Sequence, residues 1–178
     1  TTPKQLIEVG HKQIIDWSLS AINTDECNLI FVIRRDTVYS HQMDEVLRQK
    51  FGDDISIIIV DRDTEGTVCS CLYAEDYINN EIPLVITTDG AVVTFHADNS
   101  AYSYSELGRD GYVKRTAEKE VISNYAHAGL YYFARGEDFV RLAGEMIKRN
   151  IRVKNEFYVA PLYNLFIEEG MKIVIHPI

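Results

Sequence analysis

Several short segments of this chain combine a cation, a carboxylate or a pair of backbone amides with a turn that can aim it. Thr1 to Val9 sets Pro3 before Lys4 and follows them with an apolar run of strand type. A proline-fixed backbone that presents a flexible, strongly hydrated ammonium suits a phosphate, and Lys4 is the candidate ligand. Asp61-Arg62-Asp63-Thr64-Glu65-Gly66-Thr67 follows an apolar run and precedes a helical pattern. Gly66 permits close backbone approach and Thr67 is a candidate N-cap, so the turn can offer amides to a base edge or a phosphate; a capped helix start with no ligand has the same appearance. Asp89 closes Leu84-Val85-Ile86-Thr87-Thr88-Asp89. A carboxylate at the carboxyl end of a strand can hold Mg²⁺, which prefers oxygen ligands and bridges to phosphates, although a turn aspartate reads identically.

Two further segments complete the set. In Ala117-Glu118-Lys119, Glu118 can accept hydroxyl hydrogen bonds and Lys119 can meet a phosphate if both point over a sheet edge; otherwise they form a solvated surface pair. In Asn155-Glu156-Phe157-Tyr158, a carboxylate beside aromatic rings suits sugar or polyol recognition, or alternatively a helix start favoured by the dipole. The basic residues Lys148, Arg149, Arg152 and Lys154 form either a solvated face or an attractor for a triphosphate. The five histidines are scattered and read as structural or exposed.

The elements that must carry these groups alternate. Lys12 to Ala21 has helical apolar spacing, as does the stretch with Met43, Val46, Leu47 and Phe51 that Gly52 stops. Asn28 to Ile33, Ile55 to Val60 and Leu84 to Thr87 are apolar runs of buried-strand type, and Val68 to Ile78 reads as a helix. Strands alternating with helices at these lengths imply βαβ units, hence a mostly parallel central sheet covered on both faces, with sites at the carboxyl ends of its strands. Beyond Asp89 the pattern becomes antiparallel: Ala91 to His96, Tyr102 to Leu107 and Tyr112 to Ala117 read as strands, with hairpin chemistry at Gly108 to Gly111. A strand from Ala128 to Phe133, helices over Glu137 to Lys148 and Val159 to Glu168, and a closing strand from Lys172 to His176 complete the expectation. The fold class expected is therefore an α/β three-layer sandwich with an antiparallel addition.

The bulk properties narrow the partners. A chain of 178 residues fits one domain with a substantial core. The net charge of −9 argues against general nucleic-acid binding but not against a small anion held by local cations. No apolar stretch approaches the ~18 residues of a membrane span. Cys27, Cys69 and Cys71 are odd in number and lack zinc-finger spacing, which points to reduced thiols in a cytoplasmic protein. A self-associating surface is plausible.

Taken in order, Pro3-Lys4, Glu65-Gly66-Thr67, Thr88-Asp89, Glu118-Lys119, Gly129-Leu130-Tyr131-Tyr132-Phe133 and Asn155-Glu156 resemble the sugar-1-phosphate nucleotidyltransferases over nearly the whole chain. The pattern is most similar to the bacterial nucleoside-diphosphate-sugar pyrophosphorylase branch, which is associated with surface polysaccharide synthesis. Pro3-Lys4-Gln5-Leu6 resembles the Pro-Lys-Pro-Leu segment of that family, with Gln5 in place of the second proline. The resemblance implies a single domain over residues 1–178, beginning after the family's glycine-rich phosphate loop. It implies Lys4 on the nucleotide phosphates, Gly66 and Thr67 at the base, and Asp89 on Mg²⁺. It further implies Glu118, Gly129 and Glu156 at the sugar or other acceptor, and Lys119 on the acceptor phosphate. Some relatives have a second metal carboxylate near Pro161; no acid stands there, and Asn164 is the candidate substitute. The reaction implied is attack of an acceptor phosphate on the α-phosphorus of a nucleoside triphosphate with release of pyrophosphate, catalysed by positioning and charge neutralisation. A nucleotide-sugar-dependent glycosyltransferase and a non-catalytic nucleotide- or sugar-binding module remain as alternatives.

Overall fold

The computed structural model describes residues 2–20, 22–87 and 95–176 and has a mixed α/β architecture. A 3-10 turn, Lys4–Leu6, leads into a two-stranded antiparallel ribbon of β1 (Glu8–Val9) and β2 (Lys12–Gln13), then helix α1 (Ile14–Ser20). Strand β3 (Ile30–Arg34) pairs in parallel with β4 (Ser56–Val60), from Ile30 opposite Ser56 to Arg34 opposite Val60. Between them lie α2 (Arg35–His41) and α3 (Met43–Phe51). Gly52 ends α3 at a φ of +88°, a left-handed value that a residue with a Cβ adopts at a cost. Two short helices, α4 (Thr67–Leu72) and α5 (Glu75–Ile78), occupy the stretch expected as one helix.

Strand β5 (Leu84–Thr87) pairs antiparallel with β10 (Leu130–Phe133), matching Ile86 to Tyr131 and Leu84 to Phe133. A four-stranded antiparallel sheet holds β6 (Phe95–His96), β7 (Ser103–Leu107), β8 (Val113–Glu118) and β9 (Tyr125–Ala126) in the order β6-β9-β7-β8. Helices α6 (Gly136–Lys148) and α7 (Val159–Glu168) follow. Among the described residues the only parallel pair is β3–β4. Residues 171–176, where alternation suggests a closing strand, take no strand; Ile173 only accepts a backbone hydrogen bond from Val113 at 2.9 Å.

The main core lies where α6 and α7 cover β5 and β10. Phe133 stacks on Tyr163 with centroids 5.0 Å apart and also meets Phe139 and Phe166. Val68, Phe157 and Leu162 are buried in the same cluster. A smaller cluster of Ile15, Met43, Leu47 and Ile55 lies under α1 and α3. Strand β3 departs from its expected burial. Ile30, Phe31, Val32 and Ile33 are only half-buried, because they line a cavity of about 1080 Å³ whose walls also include Leu84, Val85 and Ile86 of β5. Among the described residues neither β3 nor β5 has a second partner strand.

Candidate functional site

The cavity gathers part of the expected site. Gly66, Thr67 and Glu156 line it, together with Gln5 and the Arg62-Asp63-Thr64 end of the turn. Lys4 is exposed on the 3-10 turn beside Gln5, and Pro3 ahead of it is buried. Leu84 to Ile86 border the same space, but Asp89 lies outside the described residues.

The turn after β4 is built differently from the sequence expectation. Thr67 is the first residue of α4 rather than its cap; Gly66 holds the cap position with no side-chain cap bond. Thr64 Oγ1 bonds the Gly66 carbonyl at 3.2 Å and pairs with Ser70 Oγ at 2.6 Å. Gly66, at a φ of +118°, sits directly against the backbone of Phe157, where an added Cβ would meet the Phe157 nitrogen and oxygen at 2.6 Å. The close approach that glycine permits is therefore to another part of the protein. The Phe157 N–H donates to the Glu65 carbonyl at 2.7 Å, and the Val68 N–H donates to the Phe157 carbonyl at 3.1 Å. Arg152 braces this clasp: its guanidinium lies 4.0 Å from the centre of the Phe157 ring and ion-pairs with Glu65. The basic stretch containing Arg152 is largely matched by acids, since Arg149 pairs with Glu145 and Glu168 and Lys148 with Glu145.

A second polar group forms at the end of β8. Glu118 is opposite Ser103 in the β7–β8 register, so the Ser103 hydroxyl reaches its carboxylate across the strands. The Glu118 side chain is 7% exposed. The Tyr131 hydroxyl lies 3.5 Å from Ser103 Oγ, and burial pushes that phenol up to about 12. Lys119 follows with a φ of +57°. Its Nζ donates to the Tyr158 hydroxyl at 2.9 Å, sits 4.4 Å from the centre of that ring and lies 3.6 Å from Glu118 Oε1. The Tyr158 hydroxyl is the largest influence raising the Lys119 ammonium above its ordinary value, with Glu118 adding to it. The group therefore offers a firmly charged cation beside a shielded carboxylate, a combination suited to a phosphate with neighbouring hydroxyls.

Gly129 adopts a φ of +83° one residue before β10, two residues beyond His127. His127 Nε2 pairs with Ser105 Oγ at 2.6 Å, while its buried Nδ1 has no hydrogen-bond partner among the described residues. Asn164, the candidate substitute ligand, has both ends of its amide engaged by β8. Its carbonyl accepts the Thr116 N–H at 2.8 Å and its amide donates to the Thr116 carbonyl at 2.9 Å, so it joins α7 to β8. Among the described residues no group of three or more His, Cys, Asp or Glu is disposed to hold a metal ion.

The structure thus brings Gly66, Thr67 and Glu156 to one cavity and Glu118 with Lys119 to a neighbouring cluster, and the Glu156-Phe157-Tyr158 segment is continuous with both. Sequence reasoning missed Ser103 and Arg152 as supports, and saw Tyr158 only as an aromatic near a carboxylate. Ser103 had no available signal, because its role rests on cross-strand register.

No protein-family model matches the sequence, and no curated protein matches it. Among solved structures, a nucleoside-diphosphate-sugar pyrophosphorylase from Vibrio cholerae RC9 superposes with a TM-score of 0.81 at 21% identity, over 100% of this chain and 84% of that one. A putative glucose-1-phosphate thymidylyltransferase from Bacillus anthracis gives 0.66 at 17% identity, over 98% and 78%. An inositol-1-phosphate CTP transferase from T. maritima gives 0.67 at 10% identity, over 99% and 77%. At such identities the likeness is one of architecture, and the chain has the sugar-1-phosphate nucleotidyltransferase-like fold.

Proposed function

We propose that this protein is a nucleotidyltransferase that joins a nucleoside triphosphate to a sugar-1-phosphate or similar phosphomonoester and releases pyrophosphate. The observation that carries the reading is the Glu156-Phe157-Tyr158 segment. Its Phe157 backbone clasps the Glu65–Val68 turn, and its Tyr158 holds Lys119, so one continuous stretch ties the proposed nucleotide turn to the proposed acceptor cluster. In this reading Gly66 and Thr67 border the base and Lys4 meets the triphosphate. Glu118, Gly129 and Glu156 take the hydroxyl-bearing acceptor, and Lys119 takes its phosphate. The residues orient and neutralise two anions so that an acceptor oxygen faces the α-phosphorus in line; no protein nucleophile is needed.

In this proposal Asp89, which lies outside the described residues, would hold Mg²⁺, a hard cation suited to an oxygen ligand. When bound it would neutralise charge on the phosphates. For the finer architecture we propose that the β3–β4 and β5–β10 pairs belong to one central sheet of a three-layer sandwich, flanking the cavity they share. The three unbridged cysteines support a cytoplasmic location, and no described helix is long and apolar enough to cross a membrane. A role in nucleotide-sugar supply for polysaccharide synthesis, and assembly into a homo-oligomer, belong to the same proposal.

The test is pyrophosphate release from each of the four ribonucleoside triphosphates and dTTP with Mg²⁺ and, in turn, glucose 1-phosphate, inositol 1-phosphate and glycerol 3-phosphate. Release from at least one pair is expected, lost in Asp89→Ala and retained in Lys148→Ala, whose side chain is 80% exposed. Nucleotide binding without release from any pair would favour the binding-module reading.

A further inference from the structure

Lys119 has the flexibility that makes lysine a poor clamp: a four-carbon stem with many rotamers to lose. In this structure it is held at both ends. Its backbone, in the left-handed region at a φ of +57°, donates its N–H to the Tyr102 carbonyl at 2.9 Å. Its ammonium is fixed by the Tyr158 hydroxyl at 2.9 Å and lies 4.4 Å from the Tyr158 ring centre. Resting on the proposed transferase reading, we infer that Tyr158 is a positioning residue that sets the Lys119 ammonium for the acceptor phosphate.

Three observations support the inference. Tyr158 occupies the cap position of α7, and that helix is docked on β8, the strand ending one residue before Lys119, through Asn164 and Thr116. The two partners therefore ride on elements joined by hydrogen bonds. Phe157, the preceding residue, is locked to the nucleotide turn by two backbone hydrogen bonds, so Tyr158 has a fixed origin on its other side. The hydroxyl also leaves the ammonium with two further protons to donate, with Glu118 Oε1 3.6 Å away, and hence capacity for a phosphate oxygen.

A role confined to Lys119 and a merely structural role make different demands. If Tyr158 served only to seat α7, its loss would loosen Phe157 and disturb the nucleotide turn together with the acceptor side. The experiment measures kcat and both KM values for the pair that releases most pyrophosphate in the panel above, in wild type, Tyr158→Phe, Tyr158→Leu, Lys119→Ala and the Lys119→Ala/Tyr158→Phe double variant. Tyr158→Phe keeps the ring and removes the hydroxyl, and is expected to raise the acceptor KM about five- to tenfold while the nucleotide KM stays within about twofold. Tyr158→Leu also removes the cation–π contact and is expected to raise it further, about twentyfold or more. Adding Tyr158→Phe to Lys119→Ala is expected to change nothing further. Equal rises in both KM values, or effects that multiply in the double variant, would overturn the inference. A second readout needs no turnover: proton exchange of the Lys119 ammonium with water, followed by NMR on ¹⁵N-lysine-labelled protein, is expected to quicken at least about threefold in Tyr158→Phe. Faster exchange in a protein that releases no pyrophosphate from any pair would overturn the transferase reading and leave the hold on Lys119 standing. Release of pyrophosphate with exchange and acceptor KM both unmoved would do the reverse.

Discussion

Gly66 and His127 show how differently single residues constrain this protein. At Gly66 the constraint is space and backbone angle together: φ is +118° and the Phe157 backbone lies where a Cβ would go. Gly66→Ala is expected to cost about 2–4 kcal/mol in urea unfolding and, on the proposed function, to weaken nucleotide binding, because the backbone clasp must open to admit the methyl group. The same glycine also shows what a sequence withholds. That a glycine after a strand permits close approach was readable; that the approaching group is Phe157, ninety-one positions later, depends on tertiary contact. At His127 the constraint is charge. Burial lowers its imidazole to about 4, against 6.5 for an ordinary histidine. The folded protein therefore takes up that proton less readily than the unfolded chain, so protonation favours unfolding. The contribution is complete above about pH 6.5 and is lost as pH falls toward 4, with a slope of at most about 1.4 kcal/mol per pH unit. Melting temperature measured from pH 7 to 4.5 is expected to fall, and to fall less steeply in His127→Gln; parallel curves would exclude His127 as the source.

At the scale of elements, legibility followed apolar periodicity. Helix α3 and strand β5 stand at the positions read from the sequence, because Met43, Val46, Leu47 and Phe51 mark one helical face before Gly52, and Leu84 to Thr87 is a short apolar run. Helix α2 gave no such signal: Arg35 to His41 buries none of its residues, so no stripe marks it. The stretch from Val68 to Ile78 breaks near Tyr73 and Ala74, where the Ala74 N–H still bonds the Cys71 carbonyl but α5 starts a new set of turns. Lys172 to His176 alternates like a strand yet lacks a ladder, which only three-dimensional pairing could reveal. The union of α7 with β8 was equally hidden, since it depends on the Asn164 amide meeting both backbone groups of Thr116. Asn164→Leu leaves the N–H and carbonyl of buried Thr116 without that partner and is expected to destabilise by about 2–4 kcal/mol. If Tyr158 holds Lys119 through this docking, the same variant is expected to raise the acceptor KM, measured at a temperature where the protein remains folded.

At the scale of the whole molecule, the proposed function has an acidic chain serve phosphates through locally placed cations, with Lys4 and Lys119 set on turns and several arginines matched to carboxylates. The order of the candidate segments was legible along the chain, whereas their division between a cavity and a neighbouring cluster was not. The half-buried face of β3 bears on solubility. Wherever an apolar strand such as β3 or β5 leaves an edge open, another extended chain can add to it by main-chain hydrogen bonds whatever its own sequence. Val85, 41% exposed on β5, is a position where natural proteins often place a guarding charge. Light scattering of the concentrated protein is expected to rise with time and temperature and to be suppressed in Val85→Lys; equal scattering from both would clear that edge. If scattering falls in Val85→Lys, the strand that borders the candidate site is also where unwanted association begins, and handling this protein turns on keeping foreign strands out.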